Sequence, residues 1–252
     1  MSGSRELDGR VAIVTGAARN IGRAIALALA AAGASVAVNV LKSLNEARET
    51  AELIKSAGGA AAVIQADVAT PQGAQRLVEE TAAAFGKIDI LVNNAAVRRE
   101  TEFKALAYDE WRSVVATILD GAYLMAHAAL PFIERSDAGA IVNIGGLSAH
   151  TGARNRAHVV AAKAGLAGLT RALAHDLSSS GVTVNCVAPG MIDTIRGGSA
   201  ASAPHHHQGR VPVVGRLGTP QEIASLVCYL AGPHARYLTG QTLHANGGLF
   251  MP

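Results

Sequence analysis

Short runs of apolar, mostly β-branched residues recur along this 252-residue chain, each followed by an alanine-rich stretch long enough for a helix. Val11-Ala12-Ile13-Val14 is the first, and residues 33–39, 60–66, 88–92, 140–144, 183–187 and 242–244 repeat the form. A strand that is apolar on both faces belongs in a parallel sheet covered by helices on each side. Strands alternating with helices therefore predict one α/β domain over residues 1–252, a doubly wound parallel sheet of about seven strands. Near the end, Pro220-Gln221-Glu222 opens a helix whose Ile223, Leu226, Val227 and Leu230 make one buried stripe.

The first apolar run ends in Thr15-Gly16-Ala17-Ala18-Arg19-Asn20-Ile21-Gly22. Gly16 permits a sharp reversal, Asn20 tolerates a left-handed backbone, and Gly22 lets the next helix pack closely. The unpaired N–H groups at the start of that helix then face a phosphate. With the second strand closing a unit of about thirty residues, this is the pattern of a Rossmann fold that holds a dinucleotide.

Half of the residues are hydrophobic and only 4% are aromatic, so the core must pack through Ala, Val, Leu and Ile. A net charge of +3 with scattered Lys and Arg does not support nucleic-acid binding. Cys186 and Cys228 lie in apolar sequence and are expected as free buried thiols in a reducing, cytoplasmic setting. Residues 1–10 carry charges and no apolar core, which does not suit a secretory signal, and residues 1–8 are expected to be flexible. Residues 24–41 are uncharged over a membrane-like length, but Gly33 and Asn39 interrupt them, so no membrane partner is expected.

Together with that turn, Asp67-Val68, Asn93-Asn94-Ala95, Lys163-Ala164-Gly165, Pro189-Gly190, Tyr237-Leu238-Thr239-Gly240 and Gly247-Gly248 occur in the order found in short-chain dehydrogenases/reductases. The chain resembles that family over nearly its whole length, especially its 3-oxoacyl-ACP-reductase-like members. Asn20 and Ala96 stand where the family usually has glycine. The resemblance implies cofactor contacts at Gly16, Ala18, Arg19, Asn20, Ile21, Gly22, Asp67, Val68, Asn94, Ala95, Ala96, Lys163, Pro189, Gly190, Ile192 and Thr194. At the end of the second strand no carboxylate is present to repel a 2′-phosphate; Asn39, Lys42 and Ser43 are donors, and Arg19 pairs with a phosphate. NADP(H) is thus the expected cofactor, with NAD(H) the alternative. A homotetramer and a small-molecule substrate are also implied.

The chemical half departs from the family. Relatives carry a tyrosine four residues before the lysine, a serine after the fifth strand and an asparagine in the central helix. Here those positions are Val159, Gly146 and Ile118, and only Lys163 is retained. None of the three replacements has a side-chain donor, and loss of a general acid typically costs about 10²–10⁴-fold in rate. Candidate replacements are Ser148, His150 and His158, or an ordered water, although His158 equally suits packing against a helix or subunit, and Ser148 a loop cap. Residues 193–212 correspond to a mobile substrate-covering segment. It contains His205-His206-His207, but three consecutive histidines rarely converge on one ion, and no metal is expected.

The residues fit three functions: an NADP(H)-dependent oxidoreductase of a small alcohol or carbonyl compound with Lys163 and a relocated proton donor, among Ser148 and His158; a non-catalytic NADP(H)-binding homologue acting as sensor or partner subunit; or a non-redox dehydratase or isomerase on the same fold. The crowding of Ser148, His150, Arg154, Asn155, Arg156 and His158 into one segment favours the first.

Overall fold

The computed structural model describes residues 5–194 and 209–252. Its seven strands are β1 (Val11–Val14), β2 (Ser35–Val40), β3 (Ala61–Gln65), β4 (Ile90–Asn93), β5 (Ala140–Ile144), β6 (Thr183–Pro189) and β7 (Thr242–Ala245). They form one sheet in the order β3-β2-β1-β4-β5-β6-β7, with every adjacent pair parallel. The expected doubly wound sheet is therefore present. β4 begins at Ile90, and just before it Asp89, 2% exposed, accepts through its carboxylate from Val11 N–H and Ser136 Oγ.

The helices divide between the two faces according to the pleat. Ala12 and Val14 join Val36, Val38 and Val40 on the face packed by α1 (Asn20–Ala31), α2 (Leu44–Ser56) and α8 (Pro220–Ala231). Ile13, Ala37 and Leu91 point the other way, towards α3 (Pro71–Phe85), α5 (Gly121–Ile133) and α7 (Ala157–Asp176). α1 packs against α8, and both contribute buried alanines and larger apolar side chains to the same core. α4 (Tyr108–Val115) packs on α7 and runs through a π-helical turn, Ala116–Asp120, into α5.

The stretch Tyr108–Ile133 is long and apolar enough to cross a membrane, but its buried side lies on α3 and α7. In the segment expected to be flexible, residues 5–8 form a turn: Leu7 is 2% exposed and its N–H donates to Ala32 O at 2.9 Å. Residues 1–4 lie outside the described residues, as does most of 193–212, including His205, His206 and His207. Both cysteines are free, Cys186 buried and Cys228 half-buried.

A buried amide network ties the middle of the sheet to α7. Asn93 Nδ2 donates to Asn143 Oδ1 at 2.9 Å, and Asn143 Nδ2 donates to Thr170 Oγ1 at 2.9 Å. Replacing Asn143 by Ala leaves these buried groups unpaired. It is expected to lower stability by about 1–3 kcal/mol in urea denaturation; an unchanged midpoint would mean the network is not coupled to the fold.

Candidate active site

Because all strands are parallel, their carboxyl ends share one edge, and the topology reverses there between β1 and β4, the usual ligand crevice of such sheets. The turn after β1 is strained in the way its sequence allows: Gly16 has φ +63° and Asn20 φ +53°. Two asparagines hold this turn. Asn94 Nδ2 donates to the carbonyls of Thr15 at 2.9 Å and Gly16 at 3.0 Å, while Thr15 Oγ1 accepts from Asn94 N–H and Ala95 N–H, each at 2.9 Å. From the other side Gly16 N–H donates to Asn39 Oδ1 at 3.4 Å, and Asn39 Nδ2 donates to Ile64 O at 3.2 Å and Ala66 O at 3.1 Å.

Asn39 is 2% exposed and its amide is engaged entirely with the backbone. The Asn39 side chain, expected as a donor at the cofactor, points inward from β2 and shapes the turn. Lys42 and Arg19 are exposed, Ser43 half-buried.

α1 has Arg19 at its N-cap with no side-chain cap and no acid in its first turn, so its leading N–H groups face the crevice. A Cβ on Gly22 would stand 2.3 Å from Gly16 O, so only glycine brings the helix this close. Ile21 and Ala18 are buried, and Ala18 O accepts from Arg23 Nε at 2.9 Å and Thr50 Oγ1 at 3.2 Å.

The other expected cofactor residues lie on the same edge. Asp67 follows β3 and its Oδ1 accepts from Ala69 N–H at 3.0 Å, next to buried Val68. Ala95 and Ala96 leave β4, and Pro189 ends β6. Gly190 N–H donates to Ala245 O at 2.9 Å, Ile192 bridges to Gly218, and Thr194 Oγ1 accepts from Arg98 Nη1 at 3.3 Å.

The chemical end is apolar. Ile118 and Val159, 2% and 3% exposed, pack together with Val114 and Ala162, and Val97 covers them. Ile118 sits in the π turn, a distortion that recurs at functional sites. Lys163 lies one turn beyond Val159; its Nζ is buried and donates to Ile144 O. Burial pulls the Lys163 ammonium down to about 8, opposed by the Cys186 sulfur and reinforced by Arg98 and Arg156. Burial likewise pushes the Cys186 thiol up, with the Lys163 charge acting against it.

The candidate proton donors are dispersed. His158 is fully buried, and its Nε2 stands 3.4 Å from Glu110 Oε1 on α4; neither ring nitrogen makes a well-aligned hydrogen bond. Thr101 Oγ1 donates to Glu110 at 2.7 Å and holds that carboxyl below its usual range, with Arg99 and His158 adding to the effect against burial. Helical spacing thus turns His158 away from the direction of Val159. Ser148, read as a loop residue, opens a one-turn helix, α6 (Ser148–Thr151), and is half-buried. His150 packs its ring 4.5 Å from that of His244 and 5.7 Å from Phe250. Burial lowers the pKa of both imidazoles.

No displaced tyrosine takes over. Tyr108, Tyr123, Tyr229 and Tyr237 are the chain's four tyrosines, and all are 46% exposed or more, on α4, α5, α8 and the turn before β7.

Comparison with known proteins agrees with this geometry. The family described as Enoyl-(Acyl carrier protein) reductase matches residues 16–250. The 3-oxoacyl-[acyl-carrier-protein] reductase FabG of Staphylococcus aureus (strain Mu50) is 39% identical, over 95% of this chain and 98% of its own. The chain belongs to the short-chain dehydrogenase/reductase family. Among solved structures of the family, a dehydrogenase/reductase from Sinorhizobium meliloti 1021 superimposes with a TM-score of 0.91 at 35% identity, covering 98% of each chain. A short-chain dehydrogenase from Burkholderia cenocepacia J2315, in complex with NADP, gives 0.90 at 35% identity over 97% of this chain and 99% of its own.

Two groups that act on Lys163, Arg98 and Cys186, carry no clear mark in the sequence. Arg98 follows the Asn-Asn-Ala run by three residues, and Cys186 was read only as a buried thiol in β6. The first had a signal: a charged residue directly after Val97, on the loop that leaves the crevice end of β4.

Two tests follow from this geometry. A Cβ on Gly146 meets nothing within 4 Å, so Gly146→Ser is expected to change stability by less than about 0.5 kcal/mol. Val159→Tyr overfills a packed cluster and is expected to cost about 1–3 kcal/mol in urea melts; equal midpoints for the two variants would mean the cluster is loosely packed. The second test uses pH. With Lys163 at about 8 when folded and 10.5 ordinarily, the unfolded chain binds the extra proton between those values, so stability rises with pH across pH 8–10.5. Relative to Lys163→Met, the native chain is expected to gain about 3 kcal/mol over that window in pH-dependent denaturation, and parallel curves would contradict the buried ammonium.

Proposed function

We propose that this chain is an NADP(H)-dependent oxidoreductase acting on a small alcohol or carbonyl compound, with an atypical active site. The observation that carries the reading is the close approach of α1 to the β1 turn, which only glycine at 22 permits and which Asn39 and Asn94 hold, at the same edge as buried Lys163. These residues fit a dinucleotide: the turn has room only for glycine at 22, and the leading N–H groups have no side-chain cap to compete with a pyrophosphate.

In this reading Gly16, Ala18, Arg19, Asn20, Ile21 and Gly22 hold the pyrophosphate side, and Asp67, Val68, Asn94, Ala95 and Ala96 the adenosine side. Arg19 and Lys42, both exposed cations, pair with a 2′-phosphate, which supports NADP(H) over NAD(H). Complex formation with NADP by the Burkholderia relative supports the same choice. Pro189, Gly190, Ile192 and Thr194 orient the nicotinamide end. The bound cofactor supplies hydride chemistry; the protein's part is orientation, exclusion of water and control of a proton.

Lys163 holds ribose hydroxyls by exchanging Ile144 O for them, and its ammonium, near 8, is matched to proton transfer at neutral pH. Ile118 and Val159 exclude water. Ser148 stays available as a hydroxyl at the start of α6, while His158, turned to Glu110, has a packing role. Exposed aromatic side chains at Phe103, Tyr108, Tyr123 and Tyr229 and the partly covered stretch Tyr108–Ile133 support a homotetramer of four 25.7 kDa chains. Two free cysteines suit the cytoplasm.

One observation favours a second reading. Positions 118, 146 and 159 offer no side-chain donor, and no tyrosine replaces them, which is what a non-catalytic NADP(H)-binding homologue needs. Titration of NADPH and NADH against half-buried Trp111, followed by absorbance assays on a panel of small carbonyls and alcohols, separates the two. The proposal expects NADPH to bind at least 10-fold more tightly than NADH, and turnover that falls at least 10²-fold in Lys163→Met. Binding without turnover across the panel assigns the second reading, and absence of binding removes both.

A further inference from the structure

We propose that Arg23 is a positioning residue for NADP(H) specificity: its guanidinium fixes the spacing between Arg19 and Lys42, the two cations assigned to the 2′-phosphate. This deepens the cofactor reading and rests on it.

Arg19 and Lys42 stand at the starts of different helices. Arg19 is the N-cap of α1, and Lys42 directly precedes Ser43, the N-cap of α2. Both residues are exposed, so packing does not hold their side chains. Two long side chains serve one phosphate only at the cost of their own ordering, and that cost is smallest when their backbones already stand at the right distance. The sheet sets this distance only as far as the last pair of β1 and β2, Val14 with Val38. Beyond it the two connections need a tie of their own.

Arg23 supplies that tie. In the first turn of α1, its backbone N–H donates to Arg19 O at 3.2 Å. Its Nε lies 2.9 Å from Ala18 O, the carbonyl directly before Arg19, and 2.9 Å from Thr50 Oγ1 on α2. Its Nη2 donates to Glu46 O at 2.9 Å, in the first turn of α2, and to Glu49 Oε2 at 3.1 Å. Fully buried Thr50 closes the ring, with its hydroxyl 3.2 Å from Ala18 O and 2.9 Å from Glu46 O. On the other side of Lys42, Gln65 Nε2 donates to Leu41 O at 2.8 Å, and Lys42 O accepts from Leu44 N–H at 2.8 Å. The backbones that carry Arg19 and Lys42 are thus joined through one guanidinium and one hydroxyl.

The chemistry of arginine suits this role. Its planar group holds Nε and Nη2 in a rigid relation, so it binds both helices at once, whereas an ammonium on a flexible stem is a point charge. Glu49 offsets the charge of Arg23, so the contribution of Arg23 to a 2′-phosphate is position more than field. NADH has no 2′-phosphate, and its binding makes no use of the spacing.

Fluorescence titration at Trp111 with NADPH and with NADH, on the native chain and on Arg23→Lys, Arg23→Met and Thr50→Val, tests this through the ratio of the two dissociation constants. The native chain is expected to favour NADPH by about 10-fold or more, the worth of one hydrogen bond to a charged group. Both Arg23 variants are expected to lose most of that ratio through weaker NADPH binding, with NADH affinity nearly unchanged. Thr50→Val keeps the guanidinium and removes the hydroxyl, and a smaller fall in the same direction is expected. If Arg23→Met does not fold, Arg23→Lys and Thr50→Val decide the matter. A native ratio in Arg23→Lys would assign the effect to charge and overturn the positioning role, and equal weakening of both nucleotides in the variants would overturn it as well. A native chain that binds NADH as tightly as NADPH would overturn the NADP(H) reading itself, and the spacing role with it, before any variant is compared.

Discussion

The site depends on the hydrogen bonds by which Asn39 and Asn94 grip the turn between β1 and α1. Asn94 ties the Thr15 and Gly16 carbonyls to the end of β4, and Asn39 ties Gly16 N–H to the ends of β2 and β3. These contacts satisfy the backbone of an otherwise exposed turn and hold Gly16 at positive φ. They also fix the closeness of Gly22 to Gly16 O and thereby the aim of α1. Remove the grip, and the helix end has no defined direction towards a phosphate.

The opposite end of the crevice follows a different rule. Ile118 and Val159 form a hydrophobic cluster there, and a Cβ on Gly146 would meet open space. A π turn surrounds Ile118, whose side chain is apolar and buried. Lys163 is thus left as a buried cation among cations, its ammonium depressed by burial and by Arg98 and Arg156. Such an arrangement is costly for stability, and groups of that kind concentrate at functional sites.

Much of this was legible in the sequence because two strong signals carry it. Apolar strands at regular intervals predict the parallel sheet, and a glycine turn directly after the first of them locates the phosphate end. Side-chain direction was not legible. Asn39 is a hydrogen-bond donor near the end of β2 by sequence, but only the fold shows that its amide is used up by three backbone partners. His158 was open to either reading, and only its 3.4 Å approach to Glu110 assigns its side. The one-turn helix at Ser148 has too few residues to show periodicity. Arg98 becomes visible only when Thr194 and Lys163, distant in sequence, are brought to it by the fold.

Under the proposed function an intact cofactor cradle joins a chemical end whose side chains at 118, 146 and 159 carry no donor. A crystal structure of the complex with NADPH tests it most directly. The account predicts pyrophosphate oxygens on the N–H groups at the start of α1 and Lys163 Nζ moved from Ile144 O to the nicotinamide ribose hydroxyls. It also predicts only apolar side-chain atoms from positions 118 and 159 facing the nicotinamide. A cofactor bound elsewhere, or Lys163 still paired with Ile144 O while NADPH occupies the crevice, would contradict it.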